Sequence, residues 1–165
     1  MAPRRSPGEQ GQSLVEMALI SLILIYLVMG AVDFGRTMFS QVVLTQAAKD
    51  GARKGAAYPN CRSTVSNFAS VTTGSQNTTY NSIDYAVAQA GQRLNLGTSN
   101  ITVTTYSYDP ATGTRTAASA AAGGQIDVAV SYSYTPITPV MQSLIGSPTL
   151  TATATHLIEA APSGC

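Results

Sequence analysis

Between Glu16 and Asp33 the chain carries no charged residue, and this apolar stretch limits what it can fold into more than any other feature. Counted from Leu14 to Val32 it runs for about 19 residues, close to the roughly 20 that an α-helix needs to cross a bilayer. A buried helix in a soluble core is disfavoured, because a chain of 165 residues has little with which to cover so long a run. A cleaved secretory signal would carry a shorter apolar region and end in a small-residue site. Gly30-Ala31 resembles such a site only faintly and is followed at once by Asp33 and Arg36. Arg4 and Arg5 precede the run and no acid lies among the first eight residues, so the N-terminus is expected to stay in the cytoplasm and everything after Arg36 to face outward. Lys49, Arg53 and Lys54 weaken the asymmetry, but they belong to a domain long enough to be exported largely regardless of charge.

Composition fits an exported domain. Charged residues are 10% of the chain and the formal net charge is +1, so there is no basic field to attract nucleic acid. Beyond the apolar run about 130 residues remain, enough for one domain with one core.

The helix is expected to continue past the apolar run. No proline occurs between Val32 and Pro59, and Phe34, Met38, Val42 and Thr45 recur at steps of three to four. One helix from Leu14 to Ala57, about 44 residues, would be roughly 65 Å long. Its outer half carries two small-residue rows, Ala47-Gly51-Gly55 and Ala48-Ala52-Ala56, each on one face. Gly51-x-x-x-Gly55 has the spacing of a membrane dimerisation motif, yet Asp50, Arg53 and Lys54 beside it exclude lipid. The rows are expected to let a sheet approach closely. Asp50 and Lys54 are spaced for an i,i+4 pair.

Tyr58-Pro59-Asn60 should end that helix, and a Ser/Thr/Asn-rich connection runs to about Tyr80. Ser82 to Leu94 reads as a second helix with Asn81 as its cap, Ile83, Val87, Ala90 and Leu94 on one face, and Gly97 closing it. Three strands are expected at Ile101–Tyr108, Gln125–Tyr134 and Thr149–Ile158, each alternating an apolar or small face with a polar one. That pattern suits an antiparallel meander packed on one side only. Asp109-Pro110-Ala111-Thr112-Gly113 opens a long Ala/Gly-rich tip between the first two strands, expected to be mobile and to add nothing to the core. Pro136 and Pro139 break the second strand, a short helical turn is expected over Val140–Leu144, and Gly146-Ser147-Pro148 leads into the third.

Four segments carry a resemblance. They are Gly11-Gln12-Ser13-Leu14-Val15-Glu16, Asp33-Phe34-Gly35-Arg36 at the end of the apolar run, Ala47-Ala48-Lys49-Asp50-Gly51-Ala52-Arg53, and the Val-Ser-Tyr-Ser-Tyr pattern at Val130–Tyr134. With these the chain resembles the TadE-like pseudopilins and minor pilins of bacterial tight-adherence (Tad/Flp) pilus systems, the first 57 residues carrying most of the specificity. The resemblance implies a leader cut by a prepilin peptidase between Gly11 and Gln12, which leaves Glu16 as the fifth mature residue. It also implies contact with other pilin or pseudopilin subunits and with an inner-membrane assembly platform. Met17 stands where Flp pilins usually have an aromatic residue, and those pilins are much shorter, so the major subunit is not the expected role.

A carboxylate inside an inserted segment costs on the order of a few kcal/mol and usually serves a pairing partner. The new amine of Gln12 on a neighbouring subunit could neutralise Glu16 and fix axial register. The plainer alternative places Glu16 in the first turn near headgroups, where the helix dipole favours an acid. Other constellations are weaker. Asp33-Phe34-Gly35 spells a kinase motif without its companions and reads better as the interfacial end of the span. His156 is the only histidine, expected half-buried in a strand, so a histidine-based metal site or triad lacks parts. Asn77-Thr78-Thr79 and Asn100-Ile101-Thr102 fit the glycosylation sequon but carry little weight in a bacterial protein. Cys61 and Cys165 are an even pair in an exported domain, and a bridge between them would join the end of the long helix to the end of the last strand. Free or intermolecular thiols remain open alternatives.

The expected architecture is an α+β, pilin-like lollipop: a leader at 1–11, a transmembrane helix at 12–33, its extracytoplasmic extension at 34–58, and an α+β domain at 59–165 with a second short helix and a three-stranded antiparallel sheet. The expected function is structural, in pilus assembly, adhesion and biofilm formation from the bacterial inner membrane, with membrane lipid as a further partner. No catalytic residue, cofactor or metal is expected. One alternative is an uncut single-span scaffold of the Tad platform. Another is a ligand-binding adhesin that uses Tyr106, Tyr108, Tyr132 and Tyr134 as stacking surface.

Overall fold

The computed structural model describes residues 7–62 and 82–159. Arg4, Arg5, most of the Ser/Thr/Asn-rich connection with its Asn77 sequon, the proposed cap Asn81, and Cys165 lie outside the described residues. Helix α1 spans Pro7–Ala57 and is followed by α2 (Ile83–Ala90), β1 (Ile101–Asp109), β2 (Thr114–Ala117), β3 (Gln125–Ser133), α3 (Pro139–Ile145) and β4 (Thr149–Leu157). The chain forms two compact units: residues 1–37 with 135–147, and residues 38–134 with 148–165. The fold is α+β with a long N-terminal apolar helix, as the sequence pattern requires.

α1 ends where expected but begins earlier than Leu14. Proline is tolerated in a first helical turn, where its missing N–H has no intrahelical partner to lose, so Pro7 can open the helix. At the other end the Tyr58 N–H reaches the Lys54 carbonyl at 2.9 Å, and Pro59 stops further propagation. Lys54 lies over the Tyr58 ring with its Nζ 5.2 Å from the centroid.

In the second unit, the part of α1 after Thr37 buries its small face. Leu44, Ala47, Ala48, Ala52 and Ala56 are inaccessible or nearly so, while Met38, Phe39 and Val42 stay exposed. The close approach expected of the small-residue rows is present. A Cβ on Gly51 would collide with Cγ2 of Val87 and sit 3.1 Å from Cγ1 of Val128, and one on Gly55 would lie 2.6 Å from Cδ1 of Ile126. These glycines let α2 and β3 come nearer to the helix axis than any side chain would allow. Ile83, Val87, Leu96, Ile101, Ile126, Val128, Val130 and Ile158 complete the core.

α2 is shorter than the Ser82–Leu94 helix expected from the pattern. Ser82 is its N-cap, accepting the Tyr85 N–H at 3.2 Å. Gly91 is its C-cap, with its N–H on the Val87 carbonyl at 2.8 Å, and no larger residue fits there because Leu96 folds back onto the space a Cβ would take. A 3-10 turn at Gln92–Leu94 follows, closed by Asn95 at φ 49° rather than by Gly97.

The sheet has four strands, not three, in the order β2-β1-β3-β4, all antiparallel. The expected three form the β1-β3-β4 part, with Ile101 opposite Val130 and Val128 opposite Ala154. The extra strand, β2, lies in the tip that the composition assigned to a loop. All four of its residues are exposed, so no apolar alternation marks it; ladder bonds to β1 and the turn chemistry hold it instead. The Asp109 carboxylate accepts the Ala111 N–H at 2.9 Å and the Thr112 hydroxyl at 2.8 Å, the Gly113 N–H reaches the Asp109 carbonyl, and Gly113 takes φ +69°. Arg115 of β2 lies 4.4 Å over the Tyr106 ring and pairs with Asp127 of β3 at 2.7 Å. Ala120, in the same tip, packs on the core margin. Along β4, Thr151, Thr153 and Thr155 are exposed while Leu150, Ala152 and Ala154 face inward, as the alternation requires.

Candidate functional site

In the first unit the apolar part of α1 is bare. None of its most apolar 18-residue window is buried, and Leu14, Met17, Leu19, Ile23, Leu24 and Leu27 are each more than half exposed. Water would have to solvate this surface all round the helix, so the surface demands an apolar environment. One N-terminal helix of this length and composition fits a single-pass membrane protein. The Ser21 hydroxyl donates to the Ala18 carbonyl at 2.9 Å and so presents no unpaired donor to such surroundings.

Gly11 and Gln12 lie within this helix and are exposed, with nothing within 4 Å of where a Gly11 Cβ would be. Glu16 is exposed too, and at i,i+4 it shares a face with Gln12 one turn away, a rise of roughly 6 Å.

The strongest polar arrangement of this unit involves Asp33, which the sequence marked only as the end of the span. Asp33 is 3% exposed. Its Oδ1 accepts the Ile137 N–H at 3.0 Å, and its Oδ2 accepts both the Thr138 N–H at 3.2 Å and the Thr138 hydroxyl. Thr138 is the N-cap of α3 and Pro139 its first residue, a start signal readable in the sequence; its partner across more than a hundred residues was not. Charge-assisted bonds to two backbone N–H groups make this a strong tether. Beside it, an apolar groove of about 510 Å³ runs from Ala18 past Leu22, Tyr26 and Met29 to Pro139.

Cys61 is buried and disulfide-bonded; its expected partner, Cys165, lies outside the described residues. The adjoining Arg62 grips Asp84 through two 2.8 Å bonds, Nε to Oδ2 and Nη2 to Oδ1, and the Cys61 carbonyl accepts the Ile83 N–H at 3.0 Å. Asp84 is wholly buried in the first turn of α2, where the helix dipole also favours its charge. The four tyrosines do not form one open stacking face. Tyr134 is 3% exposed, Tyr132 packs on the core, and Arg115 covers Tyr106. His156 is half-buried in β4, and no cluster of three metal-ligating side chains occurs among the described residues.

Residues 11–53 match the model of the TadE family, described as TadE-like protein. The matched stretch begins at Gly11, contains the whole exposed apolar segment and Asp33, and ends inside the buried small-residue face. It is the family whose resemblance the N-terminal motifs carry, and it links the chain to Tad pilus systems. No curated protein and no solved structure gives a match to this chain.

Proposed function

We propose that the chain is a structural pseudopilin or minor pilin of a type IVc (Tad/Flp) pilus, cut by a prepilin peptidase between Gly11 and Gln12 and then acting in pilus assembly, adhesion and biofilm formation. The observation that carries this reading is a coincidence within one helix. The TadE-like match starts at Gly11, and directly after it comes an apolar surface that nothing among the described residues buries. Such a surface can rest in lipid before assembly and among the helices of other subunits afterwards, because both surroundings accept large aliphatic side chains without a hydration penalty. The role is structural rather than enzymatic. In this reading 1–11 is the leader, 12–33 the span, 34–58 its extracytoplasmic extension and 59–165 the exported domain. The protein sits in the inner membrane with its N-terminus cytoplasmic and meets the assembly platform there.

Glu16 is the proposed register residue. Cleavage creates an amine on Gln12, and a neighbouring subunit's amine would neutralise the Glu16 carboxylate inside the apolar bundle. N-terminal sequencing of membrane-extracted protein is expected to give Gln12. A terminus at Met1 or Ala2 would instead support an uncut scaffold, and one beyond Ala31 a secretory signal. Glu16→Ala should leave cleavage and insertion intact while reducing surface pili, and normal piliation in that variant would remove Glu16 from the mechanism.

A further inference from the structure

The β3–β4 connection contains a second apolar element that the span alone does not explain. From Thr135 to Ser147 there is no charged residue. Ile137 is 63% and Ile145 51% exposed, although both stand in a short segment that could have turned them inward. These residues group with the N-terminal part of α1 in one compact unit. Asp33 holds Ile137 and Thr138 at the end of the apolar run, and Pro139 lines the groove together with Met29, one turn further into that run. From Leu14 to Val32 the helix rises roughly 28 Å, about the thickness of the hydrocarbon core, so Asp33 stands at its outer boundary. Whatever Asp33 holds stands there as well.

We infer that residues 135–147 form a second membrane contact, with Ile137 and Ile145 seated at the headgroup–acyl boundary of the outer leaflet and Asp33 acting as the positioning residue that keeps them there. The inference rests on the span lying in a bilayer. Lipid is the chosen occupant because the segment is continuous with the bare span, carries no charge, and satisfies its own helix: the Gln142 N–H reaches the Thr138 carbonyl at 2.9 Å and the Gly146 N–H the Gln142 carbonyl at 3.0 Å. Asp33 itself needs no lipid partner, since two backbone N–H groups and a hydroxyl already take up its oxygens.

The chain contains no tryptophan, so a single introduced one reports alone. Full-length Ile145→Trp would be placed in phosphatidylcholine vesicles whose acyl chains are brominated either near the headgroup or near the bilayer centre, with Leu24→Trp as the probe of the span. Blue-shifted emission of Ile145→Trp, quenched more by the shallow bromines than by the deep ones, is the expected result. Quenching of Leu24→Trp with none of Ile145→Trp would overturn the second contact while leaving the span in place; an unquenched Leu24→Trp would overturn the span and the contact together. Should Ile145→Trp not fold, Ile137→Trp carries the same test. Adding Asp33→Ala should abolish most of the quenching at position 145 without altering that of Leu24→Trp. Unchanged quenching there would remove Asp33 as the positioning residue. Blue-shifted emission that no brominated lipid quenches would mean that protein covers the segment, and would refute the lipid assignment.

Discussion

Gly51→Ala tests whether the small-residue face sets the spacing of the second unit. Two effects oppose each other at this position. Alanine in a helix interior is favoured over glycine by about 0.8–1 kcal/mol, so an unobstructed site should gain stability. Against this, the new methyl collides with Cγ2 of Val87 and crowds Cγ1 of Val128, and both belong to β-branched side chains with little rotamer freedom. Overpacking costs about 1–3 kcal/mol, and against two stiff neighbours the upper part of that range, about 2–3 kcal/mol, is expected, which leaves a net loss of roughly 1–2 kcal/mol. Gly55→Ala is the internal comparison. Its methyl meets Cδ1 of Ile126 at 2.6 Å and Cδ1 of Ile83 at 3.2 Å, the far ends of chains that can swing aside, so the propensity gain should cancel the cost. Thermal unfolding of the full-length protein in detergent, followed by tyrosine near-UV circular dichroism, should place Gly51→Ala about 4–8 °C below the parent and Gly55→Ala within a few degrees of it. If Gly51→Ala matched or exceeded Gly55→Ala, α2 and β3 would not approach the helix as described.

Arg62→Ala leaves the buried Asp84 carboxylate without its bidentate partner and should cost about 2 kcal/mol, less than for a fully buried pair because Arg62 is 41% exposed. Arg115→Ala breaks a more exposed pair and should cost no more than about 1 kcal/mol in the same melt; the reverse ranking would refute the argument. The Asp109 carboxyl is held below its usual 3.8 by the Ala111 N–H and then by the Thr112 hydroxyl. A depressed value means that its support of the β1–β2 turn is fully present above 3.8 and is lost only as pH falls through the lower, folded value. A carbon-detected NMR titration with a midpoint at or above 3.8 would contradict this. We also expect Cys61 to be joined to Cys165, which non-reducing peptide mapping would show as one linked fragment. Closing about 100 residues, that bridge should contribute up to about 4–5 kcal/mol that reduction removes. Two unlinked peptides would sink the pairing.

The long helix, the small-residue approach and three of the strands could be read from the sequence because each rests on a local periodicity. Ile126, Val128 and Val130 alternate with polar neighbours along one strand, and Gly51 and Gly55 repeat at one helical turn. β2 could not be read that way. Thr114, Arg115, Thr116 and Ala117 are all exposed, and what holds them is a turn and the pairing of Arg115 with Asp127, neither of which leaves a hydrophobic pattern. The length of α2 is hidden for a similar reason: the apolar face continues to Leu94, but the helix is capped at Gly91, a position that Leu96 keeps open only to glycine, and goes on as a 3-10 turn. Of the candidate site, the exposed span was legible and the Asp33 tether was not, since an acid after an apolar run looks the same whether it meets water or a distant backbone.

Along α1 the size of the apolar residues follows the source of their partner. Where the chain supplies one, the side chains after Leu44 are small, at Ala47, Ala48, Gly51, Ala52, Gly55 and Ala56, and the approach is close. Where no described residue buries them, from Leu14 to Val32, they are mostly Leu, Ile, Val and Met, and all but Gly30 are exposed. A helix meant only to anchor would need no change in side-chain size, and one meant only for the core would not leave its greasiest turns bare. Large residues suit an environment of variable shape, lipid at one time and neighbouring helices at another, because their flexible ends fill irregular gaps; small ones suit a single fixed neighbour. The change from large to small therefore marks where the helix passes from a bare surface to one that its own domain covers. The TadE-like match, which ends at Arg53 inside the small-residue face, covers the whole bare stretch and most of the buried one.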